Sequence, residues 1–167
     1  KAHLQRYNPH LVFLSGHGQF HDHALRADLA EDYASFAFEA ETGAGSHEVN
    51  GETLAEAFIG TNVQCVVLSA CQSGKTASDK LSAGLMQQLA LLGIAHMVGM
   101  RESILDIAGI QCIREFCDQI AQKARIDVAL QRSRAAVTQP LKGEFSDLSS
   151  GKAELCYGQW CLPSLIS

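Results

Sequence analysis

A thiol and an imidazole are together enough to break an acyl bond without a metal. The thiolate attacks, and the imidazole takes up a proton and returns it to the leaving group. This chain carries such a pair at two matching places. Leu11-Val12-Phe13-Leu14-Ser15 runs into Gly16-His17-Gly18, and Cys65-Val66-Val67-Leu68-Ser69 runs into Ala70-Cys71-Gln72-Ser73-Gly74. Short continuous apolar runs of this kind predict buried strands of a parallel sheet, which carries its chemistry at the carboxyl ends of the strands. Each run is expected to end in a small loop, so that His17 and Cys71 meet over the sheet edge. Cys71 is then the candidate nucleophile and His17 the candidate proton carrier. The backbone N–H groups of Gly18 and Cys71 are the candidate oxyanion donors, because a glycine beside the histidine leaves the backbone open to substrate. No third residue that orients the imidazole is evident. Asp22, between His21 and His23, reads as a solvated loop residue.

The elements that must position this pair alternate between strand and helix, which predicts an α/β fold. Strands are expected at residues 11–15, 35–40, 65–69 and 96–100. Leu25, Leu29 and Tyr33 are spaced for a helix over residues 24–34. Residues 42–46 and Asn50-Gly51 read as turns and residues 53–59 as a short helix, together a hairpin that leads into a helix. Leu81, Leu85, Leu89 and Leu92 form an apolar stripe that Ser78 or Asp79 can cap and Gly93 can end. Helices are expected at residues 103–123 and 127–137, a loop from 141 to 158, and a last apolar segment over residues 160–166. The loop from Gln72 to Ser78, rich in Ser, Gly and Thr, is the expected mobile part of the site.

Composition closes off several functions. With 47% hydrophobic residues, the 167-residue chain supports one domain with a sizeable core. A formal charge of −5 leaves no basic surplus for phosphate neutralisation, so no direct nucleic-acid binding is expected. No apolar run or leader-like segment predicts membrane insertion or secretion, and a cytoplasmic location is the expectation. The six cysteines lack C-x-x-C spacing and read as reduced thiols, and those other than Cys71 as small buried hydrophobes. His21-Asp22-His23 has one intervening residue and no third ligand at a recognisable interval, so no metal and no cofactor is expected. His96 opens an apolar strand and reads as a hydrogen-bonded core histidine. The acidic residues Asp28, Glu31 and Asp32 read as a solvated helix face.

The chain order sharpens the reading. Papain-like peptidases and glutamine amidotransferases place Cys before His, whereas here the order is reversed. Caspase-like enzymes carry a Q-A-C-[RQG]-G nucleophile with the histidine about 50 residues upstream, which Ala70-Cys71-Gln72 matches in part, with Gly74 one place late. Taken with Leu14-Ser15-Gly16-His17-Gly18, the stretch carrying Ala129, Arg132, Arg134 and Ala135, and Trp160-Cys161-Leu162-Pro163, the chain resembles the CHAT family of bacterial, caspase-like (clan CD) cysteine peptidases. The resemblance implies a caspase-like three-layer sandwich, with a mostly parallel sheet flanked by helices, over residues 1–167. The family domain usually begins with a further strand and helix, so this chain is expected to be a partial domain with an open sheet edge that does not fold alone.

The resemblance also implies a His17/Cys71 dyad that cuts a protein substrate once a sensor segment or partner, TPR-like or a CRISPR effector complex, activates it. Antiviral defence and cleavage of gasdermin-like proteins are the family's settings. Caspases carry Gln, and metacaspases Asp, two residues before the nucleophile. Ser69 stands there in this chain and predicts neither preference. The rival expectation is a catalytically silent caspase-like interaction module. A thiol redox sensor would need a resolving cysteine beside Cys71, and Cys65 lies inside a strand.

Overall fold

The computed structural model describes residues 1–21, 33–40, 43, 45–70, 73, 84–139 and 158–167. They fall into two compact units, Lys1–Ser103 with Leu165–Ser167, and Ile104–Ser164.

The first unit is built on strands whose bounds agree with the apolar runs: β1 (Leu11–Ser15), β5 (Cys65–Ser69) and β6 (His96–Met100). β1 pairs parallel with β5 from Leu11↔Cys65 to Ser15↔Ser69, and β5 pairs parallel with β6 from Cys65↔His96 to Val67↔Val98. The sheet order is β1-β5-β6-β7, the last being Pro163–Ile166, so β1 is an edge strand. In β5 the residues from Cys65 to Leu68 are all buried. Successive residues of a strand point to opposite faces, so burial without alternation means cover on both sides. Val66, Leu68 and Met97 join Phe36, Leu54, Leu85 and Leu89 in one apolar core.

A second, antiparallel sheet of order β2-β3-β4 belongs to the same unit: β2 (His17–His21), β3 (Tyr33–Glu39) and β4 (Ser46–Asn50). β2 corrects the expected loop after β1, because Gly16 alone separates the two strands. The link requires glycine. A Cβ at Gly16 would lie 2.8 Å from both the carbonyl oxygen of Ala37 and the ring of Phe36. β3 starts earlier than expected, so the helix expected over residues 24–34 fails at its end. Tyr33 and Ala34 are strand residues, drawn in because Ala34 and Phe36 enter the core, and residues 24–32 lie outside the described residues.

The expected hairpin forms between β3 and β4, with Gly43 and Gly45 at φ of 70° and 87° in its turn. Asn50 is a helix cap and not a hairpin turn. Its Oδ1 accepts the N–H of Thr53 at 2.8 Å, at the start of α2 (Gly51–Glu56). α3 (Leu85–Leu91) buries Leu85, Met86 and Leu89 and stops at Gly93, whose φ of 90° suits a residue without a Cβ. Its expected cap at Ser78 or Asp79 lies outside the described residues. A short helix, α1 (Ala2–Tyr7), precedes β1, and none of its residues is buried.

The second unit is a helical hairpin, α4 (Asp106–Ala121) and α5 (Ile126–Val137), close to the expected spans. Ala108, Cys112 and Phe116 form the buried stripe of α4, and Ala129, Leu130, Ser133 and Val137 that of α5. Gln119, also buried, accepts a hydrogen bond from Arg132 and donates one to Glu115 at 2.7 Å. Arg134 of the family-like stretch donates from Nε to the carbonyl of Pro163 at 2.9 Å, a scaffold role.

Candidate functional site

The candidate dyad sits past two strands that are neighbours in space. Ser15 and Ser69 are partners in the parallel β1/β5 ladder. The N–H of Gly16 continues that ladder by donating to the carbonyl of Ser69 at 3.4 Å. His17 lies two residues beyond Ser15, and Cys71 two residues beyond Ser69. Adjacent strands run about 4.8 Å apart, so both candidates issue from one sheet edge.

His17 is the first residue of β2, exposed, and opposite Ala37. Gly18 follows it opposite Phe36. Among the described residues, β2 is an edge strand of its sheet. Cys71, Gln72, Gly74, Asp22, His23 and Asp28 lie outside the described residues.

The described residues on either side of the candidate nucleophile are buried. Ala70 is buried, and Ser73, expected to belong to a mobile loop, is 0% exposed. The N–H of Ser73 donates to the Ala70 carbonyl at 3.4 Å. Its hydroxyl lies 2.9 Å from the Ala70 carbonyl and 3.1 Å from that of Leu68, and accepts the N–H of Met100 at 2.9 Å. No sequence pattern marks this role, because a serine in a Ser/Gly-rich stretch reads as a turn residue.

A second polar group crosses the small sheet. His21 Nε2 lies 3.0 Å from Ser35 Oγ, whose hydroxyl donates to Glu48 Oε2 at 3.3 Å. With its one proton directed at the carboxylate, Ser35 must accept from His21, which places the imidazole proton on Nε2. The His21 ring stacks on Tyr33 with centroids 4.3 Å apart. His21 is therefore a buried residue of β2. The order of groups excludes a serine nucleophile, because the carboxylate bonds the serine while His21 Nδ1 has no partner among the described residues.

The remaining thiols divide. Burial pushes Cys65 and Cys112 up to about 12, so both are inert protonated thiols. Cys117 and Cys161 are exposed, against the expectation of buried cysteines, because they lie off the apolar stripe of α4 and on a 3₁₀ turn, Gly158–Cys161. His96 Nδ1 is buried without a hydrogen-bond partner among the described residues, which corrects the reading of a satisfied core histidine. Among the described residues no three His, Cys, Asp or Glu side chains cluster as metal ligands. Among them also, no helix is long and apolar enough to cross a membrane.

No curated protein matches the chain at a significant level. The α/β fold with its parallel sheet nevertheless agrees with a family-level match that spans residues 1–150. That match is to the model of the CHAT domain, and the chain belongs to the CHAT domain family.

Proposed function

We propose that this chain is a caspase-like cysteine endopeptidase that works with a His17/Cys71 dyad in a three-layer domain spanning residues 1–167. The observation that carries the reading is the parallel register Ser15↔Ser69, extended by the Gly16 to Ser69 hydrogen bond, which starts both candidate residues from one edge. His17 takes the thiol proton, and the Cys71 thiolate attacks the scissile carbonyl. The oxyanion is held by the backbone N–H groups of Gly18 and Cys71, and loss of one such donor costs about 10²- to 10³-fold in rate. The imidazolium then protonates the leaving amine, and water releases the acyl group from the sulfur.

The substrate is a protein. Family membership supports activation by a sensor segment or partner, TPR-linked or within a CRISPR effector complex, in a cytoplasmic bacterial defence setting that includes cleavage of gasdermin-like proteins.

The test is an electrophilic thiol probe applied to the full chain and to His17→Ala, with the labelled residue read by mass spectrometry. Labelling concentrated on Cys71 and lost in His17→Ala is the expected result. Labelling that falls equally on Cys117 and Cys161, with Cys71 silent, would move the reading to a non-catalytic docking module.

A further inference from the structure

We propose that Glu48 is a specificity-determining residue that receives a lysine or arginine side chain of the protein substrate, an inference that rests on the reading of His17 as a member of the catalytic pair. His17 pairs with Ala37 across β2 and β3, and Ala37 pairs with Glu48 across β3 and β4. Side chains of residues directly opposite one another in an antiparallel sheet stand on the same face. His17, Ala37 and Glu48 therefore form one row, in which Ala37 contributes only a methyl group between the imidazole and the carboxylate. Two strand spacings put the backbones of the outer members about 10 Å apart.

Ser35 and His21 stand on this same face, in the next two rows. They are buried, at 2% and 5% exposure, whereas His17 and Glu48 are exposed. The Ser35 hydroxyl donates to Glu48 Oε2 at 3.3 Å, and His21 Nε2 lies 3.7 Å from the same oxygen. A half-exposed ion pair contributes little to stability, so what two buried polar groups secure here is the direction of the carboxylate. Both contacts fall on Oε2, and neither uses Oε1. Ser35 is a neutral donor and orients the carboxylate without cancelling its charge.

Charge selects the occupant. β2, β3 and β4 carry two carboxylates, Glu39 and Glu48, and no lysine or arginine. Glu39 lies in the adjoining row of the same face, opposite Ser46. A substrate group that reaches Oε1 must bring a positive charge and a hydrogen-bond donor on a stem long enough to cross the Ala37 methyl. Lysine and arginine combine these properties. Two residues of substrate backbone span at most about 7 Å, and the side chain covers the remainder, so the basic residue falls within two positions of the bond cut at His17.

The experiment is cleavage of a proteome-derived peptide library by the full-length protein with its activating partner. It is followed by kcat/KM on the best-cut peptide and on analogues with glutamine or glutamate in place of its basic residue. Variants are Glu48→Gln, Glu48→Lys and Ser35→Ala, with Glu52→Gln, an exposed first-turn residue of α2, as the charge control. Cys71→Ala and His17→Ala are the inactive references. The parent is expected to select Lys or Arg at one position within two residues of the cut. Losing one partner of a charge-assisted hydrogen bond costs about 10- to 100-fold in affinity. Glu48→Gln is therefore expected to lower the selectivity ratio between the basic and glutamine peptides by that factor. Ser35→Ala, which keeps the carboxylate but not its hydrogen bond, is expected to lower it about 3- to 10-fold, and Glu52→Gln to keep it. Glu48→Lys is expected to prefer the glutamate analogue, a reversal that a merely structural role would not produce.

If Glu48→Lys does not fold, the Glu48→Gln ratio decides, because it compares two peptides on one folded enzyme. A parent that cuts with no preference for a basic residue, or a parental ratio in Glu48→Gln, would overturn the proposal and leave the dyad reading intact. Cleavage that survives Cys71→Ala or His17→Ala, or a parent that cuts nothing, would remove the dyad reading and the proposal with it.

Discussion

The two sheets of the first unit are held by different means. β5 is buried from Cys65 to Leu68 and β6 from Met97 to Met100, so the parallel sheet gains most from apolar area withdrawn from water. In the antiparallel sheet β4 is mostly exposed, and across β2, β3 and β4 run the polar side chains of His21, Ser35 and Glu48. The two candidate residues follow different regions in sequence. Cys71 comes two residues after the buried, apolar strand β5, whereas His17 opens β2 of the more polar sheet.

The largest expected effect tests the difference in burial. Leu68→Ala removes a fully buried side chain of β5 and is expected to cost about 2–5 kcal/mol in urea denaturation. Val49→Ala in β4, where the side chain is half-buried, is expected to cost less than half as much. Equal costs would mean that the small sheet is as strongly packed as the large one.

The junction between the sheets comes next. Gly16→Ala sets a methyl group against the Ala37 carbonyl and the Phe36 ring, and overpacking of this kind costs about 1–3 kcal/mol. Loss of Cys71 reactivity beyond the loss of stability is the expected companion, because His17 follows directly.

Alkali then separates the sheets by charge. Burial raises Cys65 to about 12 from 9.0, so the folded chain keeps this proton at a pH where the unfolded chain has lost it. Stability from this group is therefore complete below pH 9 and falls as pH rises from 9 towards 12, by about 1.4 kcal/mol per pH unit. Cys65→Ala is expected to lose less stability than the parent between pH 8 and 10 in denaturant titrations. An identical slope would place the alkaline loss elsewhere.

The smallest effects belong to the polar sheet. Ser35→Ala deletes the bridge between His21 and Glu48 and is expected to cost about 1 kcal/mol. Glu48→Gln, at a half-exposed carboxylate, is expected to cost at most about 0.5 kcal/mol. A larger cost for Glu48→Gln than for Ser35→Ala would reverse the order of the network.

The same contrast decides what could be read from sequence. β5 and β6 are continuous apolar runs because they are covered on both faces, and β1 is an equally continuous run whose bounds follow from composition, although Phe13 is exposed and the strand is not buried as expected. α4 and α5 show the helical period because each buries one stripe. β2 and β4, with the sequences His-Gly-Gln-Phe-His and Ser-His-Glu-Val-Asn, carry too little apolar content to stand out. They are strands because β3, led by Ala34 and Phe36, offers them an edge to pair with. Residue type and place single out His17 and Cys71 as the candidates for the site. The buried tie made by Ser73 is not legible, because it depends on Met100, which is far away in sequence and meets it only in the fold.

The central claim is that His17 and Cys71 together cut peptide bonds. The most direct measurement is cleavage of a proteome-derived peptide library by the full-length protein with its activating partner, beside Cys71→Ala and His17→Ala. The account predicts a single preferred residue before the scissile bond in the parent and no cleavage in either variant. Cleavage that survives Cys71→Ala, or a fully assembled parent that cuts nothing, would contradict it.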